Sequence, residues 1–443
     1  MKHNDLLISY ATLDTQDGLQ KLKCKSTPST SVLRHHIAKD TLRSSLKTEC
    51  AREVSRSPLC RDDRSLLLKK MRVHNGLRLV VFLLCIVFFC HLVTSCAPTN
   101  PPYDTVTTTS MTPGEWQRFS TSFVGPFDTV TQLILYAEDE VAFERYHKQA
   151  EEELRRYHEW FTIYDDPTSG VNLKTVNDRA GTPVVCPPEI LDLIELGIQD
   201  YDRSDGRVNI AMGAVLRLWH DTRVAANAAE TEQEKMDVRL PSDAAFREAA
   251  AHTDIKDVVV DRESGTVLLR DPLMSLDVGA IAKGYAAEQV ALHLKEAGLK
   301  SAILNVGGNV RTIGGNIETG QPWKVGIRDP EDMSGQSILG IVASTELSVV
   351  TSGHYERFFV LEGHTYSHIV DPDTLYPAEY CDAVSILAPD SATADLLSTA
   401  LMVLTVEEGR KLLKKFPGCE ALWVDGDDIT MTEGFSAVYE AKR

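Results

Sequence analysis

Segments that alternate apolar and polar residues come in adjacent pairs in this chain, and this pairing constrains the fold most strongly. Residues 255–271 ("IKDVVVDRESGTVLLRD") predict a β-hairpin with its turn at residues 263–265, and residues 420–432 predict another. A series of parallel βαβ units would instead separate successive strands by helices. The pairs, with helical segments between them, therefore favour an α+β fold of mixed, largely antiparallel sheets with flanking helices, folded as a single unit.

Helical segments are predicted where apolar residues recur at spacings of three and four. The clearest lies at residues 139–166, with Phe143, Tyr146 and Leu154 at helical spacings, and Pro188 suits the first turn of another at residues 187–204. Further helices are predicted around 209–221, at 222–252, at 286–298 and at 391–416, and further strands at 127–139, directly before the glycines at 307–308, at 339–353 and at 357–372.

The distribution of charge and cysteine excludes two classes of function. Residues 1–95 carry 16 Lys and Arg against 8 Asp and Glu, and since the whole chain has a net charge of −18, residues 96–443 have a net charge of −26. Nucleic-acid binding needs a basic surface, so a nucleic-acid-binding module is excluded. Cys186, Cys381 and Cys419 are too widely separated to predict a CxxC zinc site or a disulfide framework.

Residues 71–96 ("MRVHNGLRLVVFLLCIVFFCHLVTSC") have the layout of a secretory signal. Arg72 and Arg78 precede an apolar run at residues 79–89, which is shorter than the about 20 residues that a membrane span needs. The sequence "VTSC", ending at Cys96, resembles a bacterial lipobox. It predicts cleavage before Cys96, lipidation of that cysteine and anchoring on the extracytoplasmic face of the cell membrane. An uncleaved signal anchor is the alternative.

The segments around this signal are predicted to lie outside the folded body. Because such signals begin a chain, we expect translation to start at Met71 and residues 1–70 to be a non-native or disordered extension. An unusual cytoplasmic tail is the alternative. Residues 96–115 are rich in Pro and Thr and predict an extended tether, which leaves residues 116–443 as the folded domain.

The stretch "DVGAIAKGYAAE" (277–288) places charged residues where a strand is predicted to become a helix. Asp277 is expected to cap the N–H groups at the helix start, and Lys283, about one turn into the helix, to reach back to an anion held there. The pattern lacks the lysine spacing of a P-loop. A capped amphipathic helix with Lys283 extending to solvent is the alternative.

Two further stretches contain residues suited to phosphate chemistry. In "LNVGGNVRTIGG" (304–315), paired glycines after a strand would let a nucleotide pass close to the backbone, or would simply form a structural turn. In residues 350–378, His368 is expected on a strand, flanked by Ser367 and Asp371. A general-base role for this histidine and a purely structural role both remain open.

A fourth stretch, "SATADLLSTALMV" (391–403), sets Asp395 and Thr399 four residues apart, on one face of a predicted helix. A carboxylate and a hydroxyl offer hard oxygen ligands to Mg²⁺, which prefers few protein ligands together with substrate phosphates. A polar stripe without a metal is the alternative.

Together these motifs resemble the ApbE family, the Mg²⁺-dependent FAD:protein FMN transferases, in both order and wording. "DVGAIAKGYA", "NVGGN", "TSGHYER", "HIVDP" and "ADLLSTAL" lie between residues 277 and 401, and weaker agreement extends back to Trp116. The resemblance implies an ApbE-type (T-fold-like) single catalytic unit. It also implies FAD contacts at Tyr164, Ala211, Met212, Gly213, Asp277, Lys283 and Ile369, Mg²⁺ ligands at the Ala280 carbonyl, Asp395 and Thr399, and a catalytic base at His368.

Two positions depart from the family pattern. The family's Met-Gly-Thr near the first strand is matched here by Val124-Gly125-Pro126, and the glycine of its Asp-Pro-x-Thr-Gly turn by Leu375. The first departure puts one FAD contact in doubt, and the second changes the chemistry of a turn.

The activity that the resemblance implies is Mg²⁺-dependent transfer of FMN from FAD to a threonine hydroxyl of an acceptor redox protein. The products would be a phosphoester-linked flavoprotein and AMP. An Mg²⁺-dependent FAD pyrophosphatase, with water as the nucleophile, and a non-catalytic flavin-binding lipoprotein are the alternatives.

Overall fold

Antiparallel strand pairs organise the computed structural model, which describes residues 116–332 and 334–442. The strands are β1 Gln117–Val124, β2 Val130–Ala137, β3 Val184–Val185, β4 Val258–Asp261, β5 Thr266–Leu269, β6 Ala302–Val306, β7 Asn309–Ile313, β8 Trp323–Arg328, β9 Ile338–Ser344, β10 Ser348–Gly353, β11 Phe358–Leu361, β12 His364–Ser367, β13 Ala383–Ala388, β14 Glu420–Asp425, β15 Asp428–Met431 and β16 Tyr439–Ala441. The helices are α1 Glu140–Phe161, α2 Leu173–Asp178, α3 Pro188–Arg203, α4 Gly213–Ala228, α5 Glu232–Asp237, α6 Asp243–Ala250, α7 Ala282–Glu296, α8 Ser391–Met402, α9 Val406–Leu413 and α10 Glu433–Val438.

The largest sheet has eight strands in the order β1-β2-β6-β7-β10-β13-β14-β15. Smaller sheets are formed by β16-β9-β8, by β3-β5-β4 and by the hairpin β11-β12. The named strands pair antiparallel throughout the described residues. The predicted α+β class with largely antiparallel sheets is therefore confirmed, as are the hairpins β4-β5 and β14-β15.

The central strands of the eight-stranded sheet are buried on both faces. Along β2, Leu133 and Leu135 point into the core shared with α1, α7 and α8. Their neighbours Ile134 and Tyr136 point to the opposite face, where they pack with residues of β8 and β9 such as Trp323. This alternation follows from the two-residue period of a strand, and it explains why β2 is continuously apolar from Leu133 to Ala137.

Two predicted helical regions are interrupted. Residues 222–252 are largely helical as predicted, but they contain the end of α4, then α5 and α6, separated by non-helical residues that include Pro241, which has no N–H to donate. The prediction of one helix over residues 391–416 was wrong. There α8 ends at Met402, and Thr405 starts α9 by accepting the Glu408 N–H in a capping box.

The two glycines at 307–308 form the turn of the hairpin β6-β7. Their φ angles of 53° and 98° lie in the left-handed region that favours glycine. A Cβ at Gly307 would lie 2.3 Å from the Thr129 side-chain oxygen. The turn therefore packs directly against the connection between β1 and β2, and the structural turn weighed for this stretch is present.

Helices α7 and α8 pack closely where Gly284 of α7 meets Ser391 and Asp395 of α8. A Cβ at Gly284 would lie 2.3 Å from the Ser391 carbonyl oxygen and 2.4 Å from the Asp395 Cβ. One turn further on, Glu288 pairs with Arg311 of β7 at 2.8 Å and accepts the Ser391 N–H at 2.8 Å. These contacts fix the N-terminal half of α8 against α7.

Replacing Gly284 by alanine is therefore expected to destabilise the fold by about 1–3 kcal/mol, because the new methyl group must push the two helices apart. Urea unfolding measures the change. Gly409→Ala is the matched control: it is also helical, but its nearest neighbours are side-chain atoms of Trp423 and Leu401 at 3.1 and 3.2 Å, which can shift. Equal stability losses in the two variants would contradict the close packing of α7 on α8.

The predictions for the N-terminal region concern the extension at 1–70, the signal at 71–95, Cys96 and the tether at 96–115. All of them lie outside the described residues. Among the residues that are described, none of the helices has the length and apolar character required to cross a membrane. Cys186, Cys381 and Cys419 are buried free thiols.

Candidate functional site

The connection that leads into α7 is organised around Asp277. Its carboxylate accepts the Gly279 N–H at 2.8 Å, and its own backbone N–H donates to the Ile210 carbonyl at 2.8 Å. Since α7 begins at Ala282, the prediction that Asp277 caps the helix was wrong: it caps the preceding turn. Lys283 is the second residue of the helix, closer to its start than predicted. Burial raises the pKa of Asp277 above its usual value, and the Gly279 N–H and then the Arg357 charge offset only part of that increase.

The segment of Ala211, Met212 and Gly213 runs beside this connection. Met212 forms a bridge with Ser275, and the Gly213 N–H donates to the Ser275 carbonyl at 2.9 Å. A Cβ at Gly213 would lie 2.4 Å from that carbonyl oxygen, so the close approach requires glycine. The fold therefore places these three residues beside the connection that contains Asp277.

A cleft of about 180 Å³ opens above these two segments and is lined by Tyr164, Gly213, His220, Ser275 and Asp277 among others. The Tyr164 ring stacks on His220 with a centroid distance of 4.6 Å, and 55% of Tyr164 is exposed. Burial of its hydroxyl and the Asp277 carboxylate raise the pKa of Tyr164 to about 12, so the phenol is neutral. The exposed ring can stack on a planar ligand.

His368 directly follows β12 instead of lying on the strand as predicted. Its backbone N–H and its ring Nδ1 both face the Arg357 carbonyl, at 3.0 and 3.1 Å. Since a carbonyl only accepts, Nδ1 carries the proton in the neutral ring, and the lone pair resides on Nε2. Desolvation by the surrounding protein lowers the pKa of His368, and the positive charges of Arg357, Lys283 and Arg223 lower it further, to about 3. The imidazole is therefore neutral at physiological pH.

The residues expected to support His368 have other partners. The Ser367 hydroxyl accepts the Ile369 N–H at 3.2 Å, and Asp371 accepts the Asp373 N–H at 2.9 Å. The support comes from a main-chain carbonyl, which no side-chain pattern in the sequence reveals. Ile369 is 5% exposed and belongs to the main core.

Asp395, one of the candidate oxygen ligands, lies where α7 meets α8. Gly284 is the third residue of α7, so its N–H has no acceptor within the helix, and it donates to Asp395 Oδ2 at 2.7 Å. The Asp395 carboxylate is only 3% exposed, and Ala280 lies just before the helix start to which that carboxylate is bonded. Thr399 lies one turn further along α8. Burial raises the pKa of Asp395, whereas the Lys283 charge and the Gly284 N–H lower it.

This ligand set fits Mg²⁺ better than a transition metal. One carboxylate, one carbonyl and one hydroxyl are hard oxygen donors, and Mg²⁺ keeps its remaining positions for water and phosphate. In the described part of the chain, no three or more His, Cys, Asp or Glu side chains form a group that could hold a metal. A site of this kind leaves coordination positions that a phosphate-bearing ligand can fill.

Lys283 connects the oxygen ligands to His368. Its ammonium faces the Gly307 carbonyl at 3.4 Å, at the turn of β6-β7. Its charge lowers the pKa of both Asp395 and His368. Asp395, the imidazole and the glycine turn therefore lie around a single ammonium group.

Three side chains near the site, those of His220, Arg223 and Arg357, were not predicted from the sequence. His220 stacks on Tyr164, and Arg223 approaches the His220 ring at 3.3 Å. Arg357 is the last residue of "TSGHYER", and its charge acts on His368. Burial, then the Arg357 charge, lowers the pKa of Arg223. The charges of Arg223 and Arg357 both act on His368, so they supply positive charge near the imidazole in an otherwise acidic body, which suits a phosphate-bearing ligand.

Comparisons with known families and proteins identify the family of this chain. The model of the ApbE family matches residues 127–423. That range begins after Val124-Gly125-Pro126, the first of the two departures from the family pattern. Thr129, which lies inside the range, packs against the glycine turn at Gly307. A FAD:protein FMN transferase of Treponema pallidum is 37% identical over 269 residues, covering 58% of this chain and 71% of the relative. One of Klebsiella pneumoniae is 31% identical over 294 residues, covering 66% and 84%.

Solved structures give the same result. The crystal structure of the ApbE protein of Thermotoga maritima has a TM-score of 0.62 and 29% sequence identity, covering 73% of this chain and 99% of that one. The flavinyl transferase ApbE of Pseudomonas stutzeri, in its apo form, has a TM-score of 0.59 and 26% identity, covering 74% and 98%.

Proposed function

This chain belongs to the ApbE family, and on that premise we propose that it is a FAD:protein FMN transferase. In this proposal it requires Mg²⁺, attaches FMN to a threonine hydroxyl of an acceptor redox protein and releases AMP. The observation that carries the proposal is the hydrogen bond from the Gly284 N–H to Asp395, because it fixes a buried carboxylate at the start of α7, next to the segment that contains Ala280 and Lys283.

FAD binding is supported by the cleft and its charges. The exposed face of Tyr164 offers a stacking surface for one of the two ring systems of FAD. Asp277 and Gly213 line the same cleft, Ala211 and Met212 directly precede Gly213, and Ile369 follows the proposed catalytic histidine. Lys283 offers its ammonium to the pyrophosphate, an anion that the acidic body as a whole would repel.

Metal binding is assigned to the Ala280 carbonyl, Asp395 and Thr399. When bound there, Mg²⁺ would offset the negative charge that develops on the pyrophosphate as it is cleaved. Asp395 and Lys283 hold opposite charges next to each other, so the cation and the phosphates are directed to adjacent positions.

His368 is assigned as the general base. Its Nε2 takes the proton from the threonine hydroxyl, and that oxygen forms a bond to the FMN phosphorus. The bond between this phosphorus and the bridging oxygen breaks, and AMP leaves with the electron pair. The Arg357 carbonyl holds the Nδ1–H and stabilises the imidazolium that results. FMN remains attached to the acceptor through a phosphoester.

The proposed function is tested with the full chain, FAD, Mg²⁺ and a candidate acceptor carrying a threonine motif. A transferase produces a covalent mass gain of one FMN on the acceptor together with AMP, and EDTA abolishes both. Steady release of AMP and FMN from FAD without an acceptor would instead identify a pyrophosphatase. Flavin binding without AMP at any Mg²⁺ concentration would identify a storage protein.

The location of the enzyme is part of the proposal and rests on the sequence alone. The lipobox resemblance ending at Cys96 supports a lipid anchor on the extracytoplasmic membrane face. Labelling with radioactive palmitate that is lost in Cys96→Ala is the expected result, and equal labelling of both proteins would contradict it.

A further inference from the structure

Asn309 is a buried polar residue that the sequence motifs did not assign. It is the first residue of β7 and is 0% exposed. Neither its side-chain nitrogen nor its side-chain oxygen has a hydrogen-bond partner among the described residues. Buried amides are almost always hydrogen-bonded, so an unpaired one calls for an explanation.

The strand register places this side chain beneath the middle of α8. Asn309 pairs with Val350 of β10, and side chains two residues apart share a face. On that face Arg311 reaches the first residue of α8, Ser391, through Glu288. Further along it, the Ser352 hydroxyl meets Ser398 near the end of α8 at 2.8 Å.

Asn309 lies between these two contacts, as Asp395 lies between Ser391 and Ser398 on α8. The two side chains therefore face each other across the interface of sheet and helix. The electrostatics agree: burial raises the pKa of the Asp395 carboxyl, while the Lys283 charge, the Gly284 N–H and the Asn309 side chain lower it.

We propose that Asn309 is a positioning residue that holds the Asp395 carboxylate for the divalent cation. The Gly284 N–H restrains one carboxylate oxygen. The Asn309 amide, with no other partner, supplies the second donor, so that the carboxylate has one orientation towards the Ala280 carbonyl. Groups that orient a metal ligand in this way commonly contribute about 10–100-fold to metal affinity. This inference rests on the proposed function, because it assumes that Asp395 binds Mg²⁺.

The test is Mg²⁺ binding to the metal-free full chain, measured by calorimetry, together with the thermal unfolding midpoint with and without Mg²⁺. In Asn309→Leu, an apolar group of similar volume replaces the amide that the inference pairs with Asp395. We expect the unfolding midpoint without Mg²⁺ to fall only modestly, because the Gly284 N–H still binds the carboxylate, and the affinity for Mg²⁺ to be about 10–100-fold weaker. Unchanged Mg²⁺ affinity in this variant would overturn the inference.

Asn309→Asp separates positioning from direct ligation. An ionised carboxylate keeps an oxygen but loses the N–H donor, so a positioning role predicts weaker Mg²⁺ binding here as well. Equal or tighter binding would identify residue 309 as an oxygen ligand and overturn the inference. Thr351→Val, on the neighbouring strand with its hydroxyl bonded to Ser385, is the control and should bind Mg²⁺ normally. If the unsubstituted protein failed to bind Mg²⁺, the metal part of the proposed function would fall too.

Discussion

Replacing Asp395 by alanine is expected to reduce FMN transfer by about 10³-fold or more and to abolish its dependence on added Mg²⁺. Asp395 provides the carboxylate of the ligand set, and a bound metal ion contributes several kcal/mol to stabilising the charge of such a reaction, with about 1.4 kcal/mol for each tenfold in rate. The measurement is the initial rate of covalent flavin attachment over a Mg²⁺ titration, with the mass of the acceptor as readout.

Asp390→Ala is the matched control for this prediction. Asp390 lies on the same helix end, where it accepts the Thr393 N–H at 2.7 Å as the cap of α8. Its loss should reduce stability by about 1 kcal/mol and leave the response to Mg²⁺ intact. If Asp395→Ala retained a normal Mg²⁺ dependence, or if both variants lost it equally, Asp395 would not be the metal ligand.

The parts of this site that the sequence predicted are those set by local spacing. Asp395 and Thr399 lie four residues apart, so their shared helix face follows from helix geometry alone. The contact from Gly284 to Asp395 spans 111 positions and exists only because α7 packs on α8. The same holds for the carbonyl of Arg357, which supports His368 in place of the neighbouring Ser367 and Asp371.

The fold shows a similar division between local and long-range determinants. The hairpins β4-β5 and β14-β15 are joined by short turns and could be predicted, whereas β9 and β10, adjacent in the chain, belong to different sheets. Leu375 occupies the family's glycine position yet keeps a positive φ of 65°. Its carbonyl accepts the Trp219 indole N–H at 3.0 Å. That tertiary contact helps to hold a backbone conformation that leucine alone disfavours.

Replacing His368 by asparagine is expected to lower the rate of FMN transfer by about 10²–10⁴-fold, the usual contribution of a general base. FAD binding should change little, because the residues assigned to stacking and to the pyrophosphate are untouched. The comparison of transfer rate with FAD affinity, measured by flavin fluorescence, distinguishes a lost base from a lost substrate site. His364→Asn, on the exposed hairpin where His364 pairs with Glu379 at 2.9 Å, is the control and should transfer normally.

The pH dependence follows from the lowered pKa of His368. Its neutral form is the base, so activity that depends on it is present above the folded-state value of about 3 and is lost as the pH falls through that value. The ratio kcat/KM reports the free enzyme. Its profile should therefore show no limb from His368 between pH 5 and 8, because even pH 5 lies about two units above that pKa. Bound FAD brings two phosphate charges next to the imidazole and raises its pKa, so kcat should begin to fall at a higher pH than kcat/KM. A limb near pH 6.5 in kcat/KM that vanishes in His368→Asn would show that the free imidazole is not suppressed by Arg357, Lys283 and Arg223, and would contradict this electrostatic account.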